Sequence, residues 1–135
     1  LRLGRYAIGV LRGDGLVATK TGSRYVKGRH RAGGSSQRRF ERSRERLVRE
    51  LFDKTCQVTR DVYSPYGKAI DYVLMGGERQ TLLGFVRRCD YLKAYEPRIL
   101  QRVLTVDRPG QEALERVGFE VWKSRVSVFN TVDEA

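Results

Sequence analysis

The longest uninterrupted stretch of the chain constrains its fold most. Residues 35–64 contain neither Gly nor Pro, the two residues that most strongly oppose helix formation. Apolar side chains recur within it at helical spacing: Phe40, Leu47, Val48, Leu51, Phe52, Cys56 and Val58. This pattern predicts one long helix over about residues 37–60. Because its first turns carry a single apolar residue among many arginines, we expect that end to protrude and the other end to dock on a core.

Shorter segments predict strands around this helix. Alternating or continuous apolar runs indicate strands at residues 5–12, 16–20, 24–29, 69–77, 99–107 and 119–129. The turn Gly13-Asp14-Gly15 joins the first two strands. Two further helices are expected, one from Glu78 or Arg79 and one from Pro109-Gly110 to a stop at Gly118. The order predicts a single domain over residues 1–135 of the α/β (α+β) class, with a mixed β-sheet flanked by helices.

Positive charge is concentrated in one part of the chain. The 135 residues carry a formal net charge of +11, and residues 20–49 hold eleven Lys and Arg against two Glu. That segment therefore carries +9, whereas the remaining 105 residues carry +2. A solvated helix face is the ordinary explanation of one basic helix, but basic runs on both sides of a glycine-rich loop favour a phosphate backbone. We expect a nucleic-acid partner.

Cysteine and histidine content limits the possible chemistry. Cys56 and Cys89 are 33 residues apart, and His30 is the single histidine. One disulfide is possible, but a basic domain without a secretory signal is expected to be cytoplasmic, with both cysteines as reduced core thiols. These residues form no zinc-ligand set, so no metal or cofactor is expected. No apolar run approaches a membrane span, so we expect no membrane partner. We also expect a monomer.

The loop over residues 31–37 combines features suited to nucleic-acid chemistry. A glutamine such as Gln37 donates and accepts hydrogen bonds at once, which suits it to holding a water or a sugar hydroxyl. The preceding Gly33 and Gly34 permit close backbone approach to a substrate. No GxxxxGK[ST] or GxGxxG motif is present. Tyr6, Tyr25 and Tyr66 could stack on bases, although half-buried strand or loop tyrosines explain each of them alone.

The strands, the basic approach, the loop Arg31-Ala32-Gly33-Gly34-Ser35-Ser36-Gln37 and the long helix carry a family resemblance. Together they resemble the catalytic middle domain of the class I release factor of eukaryotes and archaea, whose tip carries Gly-Gly-Gln. The two serines before Gln37 make the loop similar to the Vms-like release factors, a branch associated with ribosome rescue and quality control. The segments YVLMGGE (72–78) and VLTVD (103–107) agree with this resemblance.

The resemblance implies a peptidyl-tRNA hydrolase of the release-factor type. The domain would enter the peptidyl-transferase centre of the large ribosomal subunit and place Gln37 beside the ester of peptidyl-tRNA, in a loop shaped by Gly33, Gly34, Ser35 and Ser36. Contacts to ribosomal RNA or tRNA would come from Lys27, Arg29, His30, Arg31, Arg38, Arg39 and Arg42. Two alternatives stay open. One is cleavage of the tRNA near its 3′ end, where a ribose 2′-hydroxyl attacks the adjacent phosphate with help from His30. The other is a non-catalytic RNA- or ribosome-binding module.

Overall fold

The computed structural model describes residues 1–13, 15–28 and 35–119, and these contain four strands and four helices. In chain order the elements are β1 (Arg5–Arg12), β2 (Gly15–Ser23), α1 (Ser35–Tyr63), β3 (Val73–Gly76), α2 (Arg79–Arg88), α3 (Asp90–Lys93), β4 (Ile99–Leu104) and α4 (residues 111–119). Short 3₁₀ turns at Gly67–Ala69 and Glu96–Arg98 precede β3 and β4. None of these helices is long and apolar enough to cross a bilayer.

The described strands pair in two small sheets. β1 and β2 form an antiparallel hairpin running from the pair Arg5–Ser23 to the pair Arg12–Gly15. Its turn uses Gly13 at φ +65°, a left-handed conformation that glycine adopts without steric cost. β3 and β4 run parallel, with Val73 opposite Ile99. The α/β class is confirmed, and the strand directions are mixed as expected, but within the described residues they occupy two sheets rather than one.

Several predicted boundaries need correction. Residues 24–28 form no strand, and Arg29 lies outside the described residues. The strand expected over residues 119–129 cannot begin at Phe119, because Phe119 belongs to α4. The other ten residues of that predicted strand lie outside the described part. Gly118 does not end α4, which includes residue 119. By contrast, β1 spans the predicted residues, and α2 begins where expected because the Glu78 carboxylate accepts hydrogen bonds from the amides of Gln80 and Thr81.

The second half of α1 forms the centre of the core. The buried cluster consists of Tyr6, Leu51, Phe52, Val58, Val73, Phe85, Cys89, Leu92 and Tyr95. Two threonines on the same helix face are also buried, and their hydroxyls donate to carbonyls one turn earlier. Thr55 bonds to the Leu51 carbonyl and Thr59 to the Thr55 carbonyl, each at 2.7 Å. Because these hydroxyls are satisfied within α1, burying them costs little.

Three paired contacts join α1 to α2 and the residue that follows it; we call them the α1–α2 seam. The rings of Phe52 and Phe85 lie 5.9 Å apart between centroids. Arg88 donates two hydrogen bonds to the Asp53 carboxylate, at 2.7 and 3.0 Å. Gly84 allows this approach, because a Cβ atom there would lie 3.2 Å from the Phe52 ring.

The third contact of the seam is a disulfide between Cys56 and Cys89. The expectation of two reduced thiols is therefore wrong for this structure. The two Cα atoms are 5.5 Å apart, within the range that a disulfide requires. Their separation of 33 residues along the chain gave no sign of this proximity, because the packing of two helices determines it.

Candidate functional site

The predicted catalytic loop meets the first turn of α1. Ser35, Ser36 and Gln37 are the first residues of this helix, so the helix begins two residues earlier than predicted. Gly33 and Gly34 lie outside the described residues, as do Arg29, His30 and Arg31. The structure thus describes Lys27 on one side of the loop, and on the other side Gln37 with the arginines that follow it. The roles predicted for all of these residues, inside and outside the described part, stay predictions.

Gln37 is held by a hydrogen bond along the helix. Its Nε2 donates to Oε1 of Glu41, one turn later, at 3.0 Å. Its Oε1 is buried, yet it accepts no hydrogen bond from any described residue. The amide donor is therefore fixed, while the buried acceptor has no partner among the described residues. The neighbouring backbone N–H groups of the first helical turn have no partner within the helix, which makes this end suited to negative charge.

Arginines line one side of α1 beyond Gln37. Successive helical residues are rotated by about 100°, which places five exposed arginines within an arc of about 100°. This arginine stripe consists of Arg38, Arg39, Arg42, Arg46 and Arg49. Arg46 pairs with Glu50 at 3.1 Å, whereas Arg38, Arg39 and Arg42 form no ion pair or hydrogen bond with any described residue. These three guanidinium groups are therefore well placed for phosphate.

The segment 24–28 covers part of the opposite side of α1. Arg44 Nε donates to the backbone carbonyl of Lys27 at 3.1 Å, and Lys27 Nζ lies 5.2 Å from the centroid of the Phe40 ring. Arg24 approaches Glu50 at 3.8 Å. The basic runs on the two sides of the loop are thus neighbours in space. The arginine side of α1 faces solvent, while its other side has a partner even in its first turns.

Sequence reasoning missed two parts of this arrangement. Glu41 holds the Gln37 amide, and the signal for it was the spacing of four residues, which brings side chains together on a helix. Arg46 and Arg49 extend the stripe, and the helical period would have found them. Among the described residues, no group of three or more His, Cys, Asp or Glu is arranged to hold a metal ion.

Comparison with known proteins finds similar sequences among release factors. The family model described as "Actinobacteria/chloroflexi VLRF1 release factor" matches residues 1–127. Curated archaeal relatives carry the name Peptide chain release factor subunit 1. The protein of Methanopyrus kandleri is 34% identical over 100 residues, which cover 73% of this chain and 23% of the relative. That of Archaeoglobus fulgidus is 32% identical over 74 residues, covering 55% and 18%.

A third relative, from Aeropyrum pernix, is 40% identical over 58 residues, which cover 43% of this chain and 16% of the relative. The chain therefore spans about a fifth of the length of the curated relatives it matches. The family model covers nearly all of this chain, and the resemblance to release factors is confirmed. The chain belongs to the Actinobacteria/chloroflexi VLRF1 release factor family.

Proposed function

We propose that this domain acts on the ribosome as a release factor and frees nascent chains from peptidyl-tRNA in the peptidyl-transferase centre of the large subunit. Membership of a release factor family supports the general activity. The observation that carries the finer proposal is the position of Gln37, which lies in the first turn of α1 where the arginine stripe begins. A hydrogen-bonding amide at the end of a helix lined with arginines suits a reaction at the terminus of an RNA molecule.

Ester hydrolysis needs a water placed against the carbonyl carbon that joins peptide to tRNA. Oε1 of Gln37 has no hydrogen-bond partner among the described residues, so, once substrate binding uncovers it, it would accept a hydrogen bond from that water and orient it. The bond from Nε2 to Glu41 keeps the amide in this orientation. Addition of water forms a tetrahedral oxyanion, which collapses to a peptide carboxylate and the tRNA 3′-terminal ribose hydroxyl. The free N–H groups of the first turn would stabilise the oxyanion.

The arginine stripe would bind the phosphates around the reacting end. From Arg38 to Arg49 it extends about 16 Å along the helix, at 1.5 Å per residue. Each phosphate that it neutralises releases counterions, so binding should weaken steeply as salt is raised. The domain itself contributes positioning and charge, while the RNA partners bring much of the reacting machinery.

One observation favours tRNA cleavage as a second candidate. Ser35 and Ser36 are helical, and two helical residues rotate the next side chain by about 200° about the helix axis. Relative to position 35, where a glutamine directly after the two glycines would stand, Gln37 is therefore rotated by about 200° about the helix axis. In this alternative the ribose 2′-hydroxyl attacks the adjacent phosphorus, giving a 2′,3′-cyclic phosphate and a free 5′-hydroxyl on the leaving fragment. The arginines would stabilise the charge that develops on the phosphate oxygens.

A single-turnover assay on stalled ribosome complexes separates these reactions. Peptidyl-tRNA is labelled on both the peptide and the tRNA, and the products of the natural chain and Gln37→Ala are compared. Free peptide with intact tRNA indicates ester hydrolysis, whereas peptide that still carries a 3′ tRNA fragment indicates cleavage. We expect Gln37→Ala to slow release by about 10²- to 10³-fold, the loss typical of one catalytic hydrogen bond, with ribosome binding retained.

Gln57→Ala is the matched control for this assay. Gln57 is an exposed glutamine on the same helix, 20 residues from Gln37, so its loss should change neither binding nor release. If Gln37→Ala releases peptide as fast as the natural chain, Gln37 is not catalytic. If the natural chain binds tightly but yields no product, the domain is a docking module and the proposed reaction is wrong.

A further inference from the structure

Two tyrosines of the described chain are mostly exposed, and their surroundings differ. Tyr25 is 73% exposed and Tyr72 is 72% exposed. The other tyrosines that the sequence singled out for base stacking are engaged elsewhere. Tyr6 is 5% exposed in the core, and the Tyr66 hydroxyl donates to the Val17 carbonyl at 3.3 Å. Tyr25 stacks on no other aromatic ring among the described residues.

The backbone around Tyr25 is fixed on both sides. The Arg24 amide donates to the Gly4 carbonyl at 2.9 Å, and the side chain of Val26 packs against the core. The next carbonyl, that of Lys27, accepts the hydrogen bond from Arg44. Val26 is packed inward while the Tyr25 ring is 73% exposed, so Tyr25 faces outward between anchored neighbours. Its ring is presented with little backbone freedom left to lose on binding.

The charge around Tyr25 selects an anionic partner. Arg24 and Lys27 flank it in the chain, and both lie against α1, at Glu50 and at Phe40. Tyr72, in contrast, follows Asp71 in the chain. An exposed aromatic ring within a basic surface is the arrangement that proteins use to bind unpaired nucleotides, because the ring stacks on a base while the cations bind its phosphates.

We propose that Tyr25 stacks on an unpaired nucleotide of ribosomal RNA, with Arg24 and Lys27 at the flanking phosphates. This inference rests on the proposed function. The contacts of Lys27 and Arg24 with α1 lie about 5 and 20 Å along the helix from Gln37, at 1.5 Å per residue. Tyr25 lies between them in the chain. A site this far from the reacting end would contact the ribosomal RNA that surrounds the catalytic centre rather than the terminal nucleotide of the substrate.

The test measures binding rather than peptide release. Affinity for a fluorescent 12-nucleotide single-stranded RNA, for the same sequence as a duplex, and for isolated large ribosomal subunits is compared between the natural chain and Tyr25→Ala. We expect Tyr25→Ala to weaken binding to the single strand and to the large subunit about tenfold. The duplex should bind the two proteins equally, because its bases are already stacked. Tyr25→Trp should bind at least as well as the natural chain.

The salt dependence distinguishes stacking from charge. Tyr25→Ala should lower the affinity by the same factor at every salt concentration, whereas loss of a phosphate-binding arginine reduces the slope. Tyr72→Ala, which removes an equally exposed ring, should have no effect. Equal binding by Tyr25→Ala and the natural chain would overturn the inference, as would an equal loss for Tyr72→Ala. A loss seen with the 12-nucleotide single strand but not with large subunits would overturn the assignment to ribosomal RNA.

The inference and the proposed function fail in different ways. Normal RNA binding by Tyr25→Ala, together with slow release by Gln37→Ala, would overturn the stacking site and leave the release activity standing. Tyr25-dependent binding without release from any protein would retain the stacking site and reject the enzyme.

Discussion

The two halves of α1 belong to one helix but have opposite environments. From residue 36 to residue 49 no side chain is fully buried, and the arginine stripe covers one side. From residue 50 to residue 63 the helix buries Leu51, Phe52, Thr55, Val58 and Thr59 and carries its half of the seam. The difference shows that the residues that hold this domain together are separate from the surface that we propose contacts RNA. Substitutions in the two halves should therefore affect different properties.

The largest effect on stability should come from the centre of the buried half. Leu51 is 0% exposed, so Leu51→Ala loses apolar burial and leaves a cavity, at a cost of roughly 2–5 kcal/mol. Urea denaturation followed by circular dichroism measures this loss. Leu83→Ala provides a control, since Leu83 is 43% exposed and should cost much less. Similar losses for the two variants would contradict the burial pattern.

Reduction of the disulfide should have the next largest effect. The bond between Cys56 and Cys89 closes a loop over 33 residues, and loop-closure entropy for that length corresponds to roughly 3–4 kcal/mol in the unfolded chain, an upper range for real proteins. Denaturation midpoints with and without dithiothreitol measure it. A double variant, Cys56→Ala with Cys89→Ala, should have the same denaturation midpoint with and without dithiothreitol. An unchanged midpoint in the natural chain would show that the cross-link contributes nothing.

The exposed half should give the reverse result. Arg38→Ala combined with Arg42→Ala removes two cations that have no partner among the described residues, so the free energy of unfolding should change by no more than about 0.5 kcal/mol. Binding to large ribosomal subunits should weaken, with a salt slope lower by about 2. The matched control is Arg87→Ala, an exposed arginine of α2 outside the stripe. A large loss of stability in the double variant would contradict the claim that the exposed half of α1 contributes little to stability.

The smallest effect should come from the ion pair of the seam. The Arg88 hydrogen bond holds the pKa of Asp53 below its ordinary value. A lowered folded pKa adds stability that is present above the ordinary carboxylate pKa and is lost as pH falls through the folded value. Asp53→Asn should therefore be slightly less stable at pH 7 and should lose less stability below about pH 4. Because the pair is exposed, its contribution is small, and acid titration of the unfolding midpoint measures it.

Local patterns predicted the elements whose signals lie within one segment. The stretch without Gly or Pro predicted α1, alternation predicted β1, and the end of the preceding strand at Gly76-Gly77 led us to expect α2 from Glu78 or Arg79. Features that depend on distant contacts were missed. The segment 24–28 has the residues of a strand, but it lies along α1, where Arg44 binds its Lys27 carbonyl. The disulfide was missed for the same reason, since its two cysteines approach only when α1 and α2 pack.

The candidate site was predictable in its composition but only partly in its geometry. The sequence indicated Gln37 and the arginines, because residue type and charge are local properties. It did not show that the two serines are helical or that Glu41 holds the Gln37 amide. The direction of a side chain depends on where its helix begins, and a shift of two residues rotates it by about 200°.

The position of the seam makes the far end of α1 sensitive to any tilt of the helix. Thr55, beside the disulfide, lies 18 residues from Gln37 in the same helix, which corresponds to about 27 Å of rise. A tilt of about 5° at the seam would displace Gln37 by about 2.4 Å, more than a hydrogen bond tolerates. The cross-link and the two contacts beside it therefore help to determine the position of Gln37, although they do not contact it. Loosening the seam should misplace Gln37 even where every side chain around Gln37 is intact.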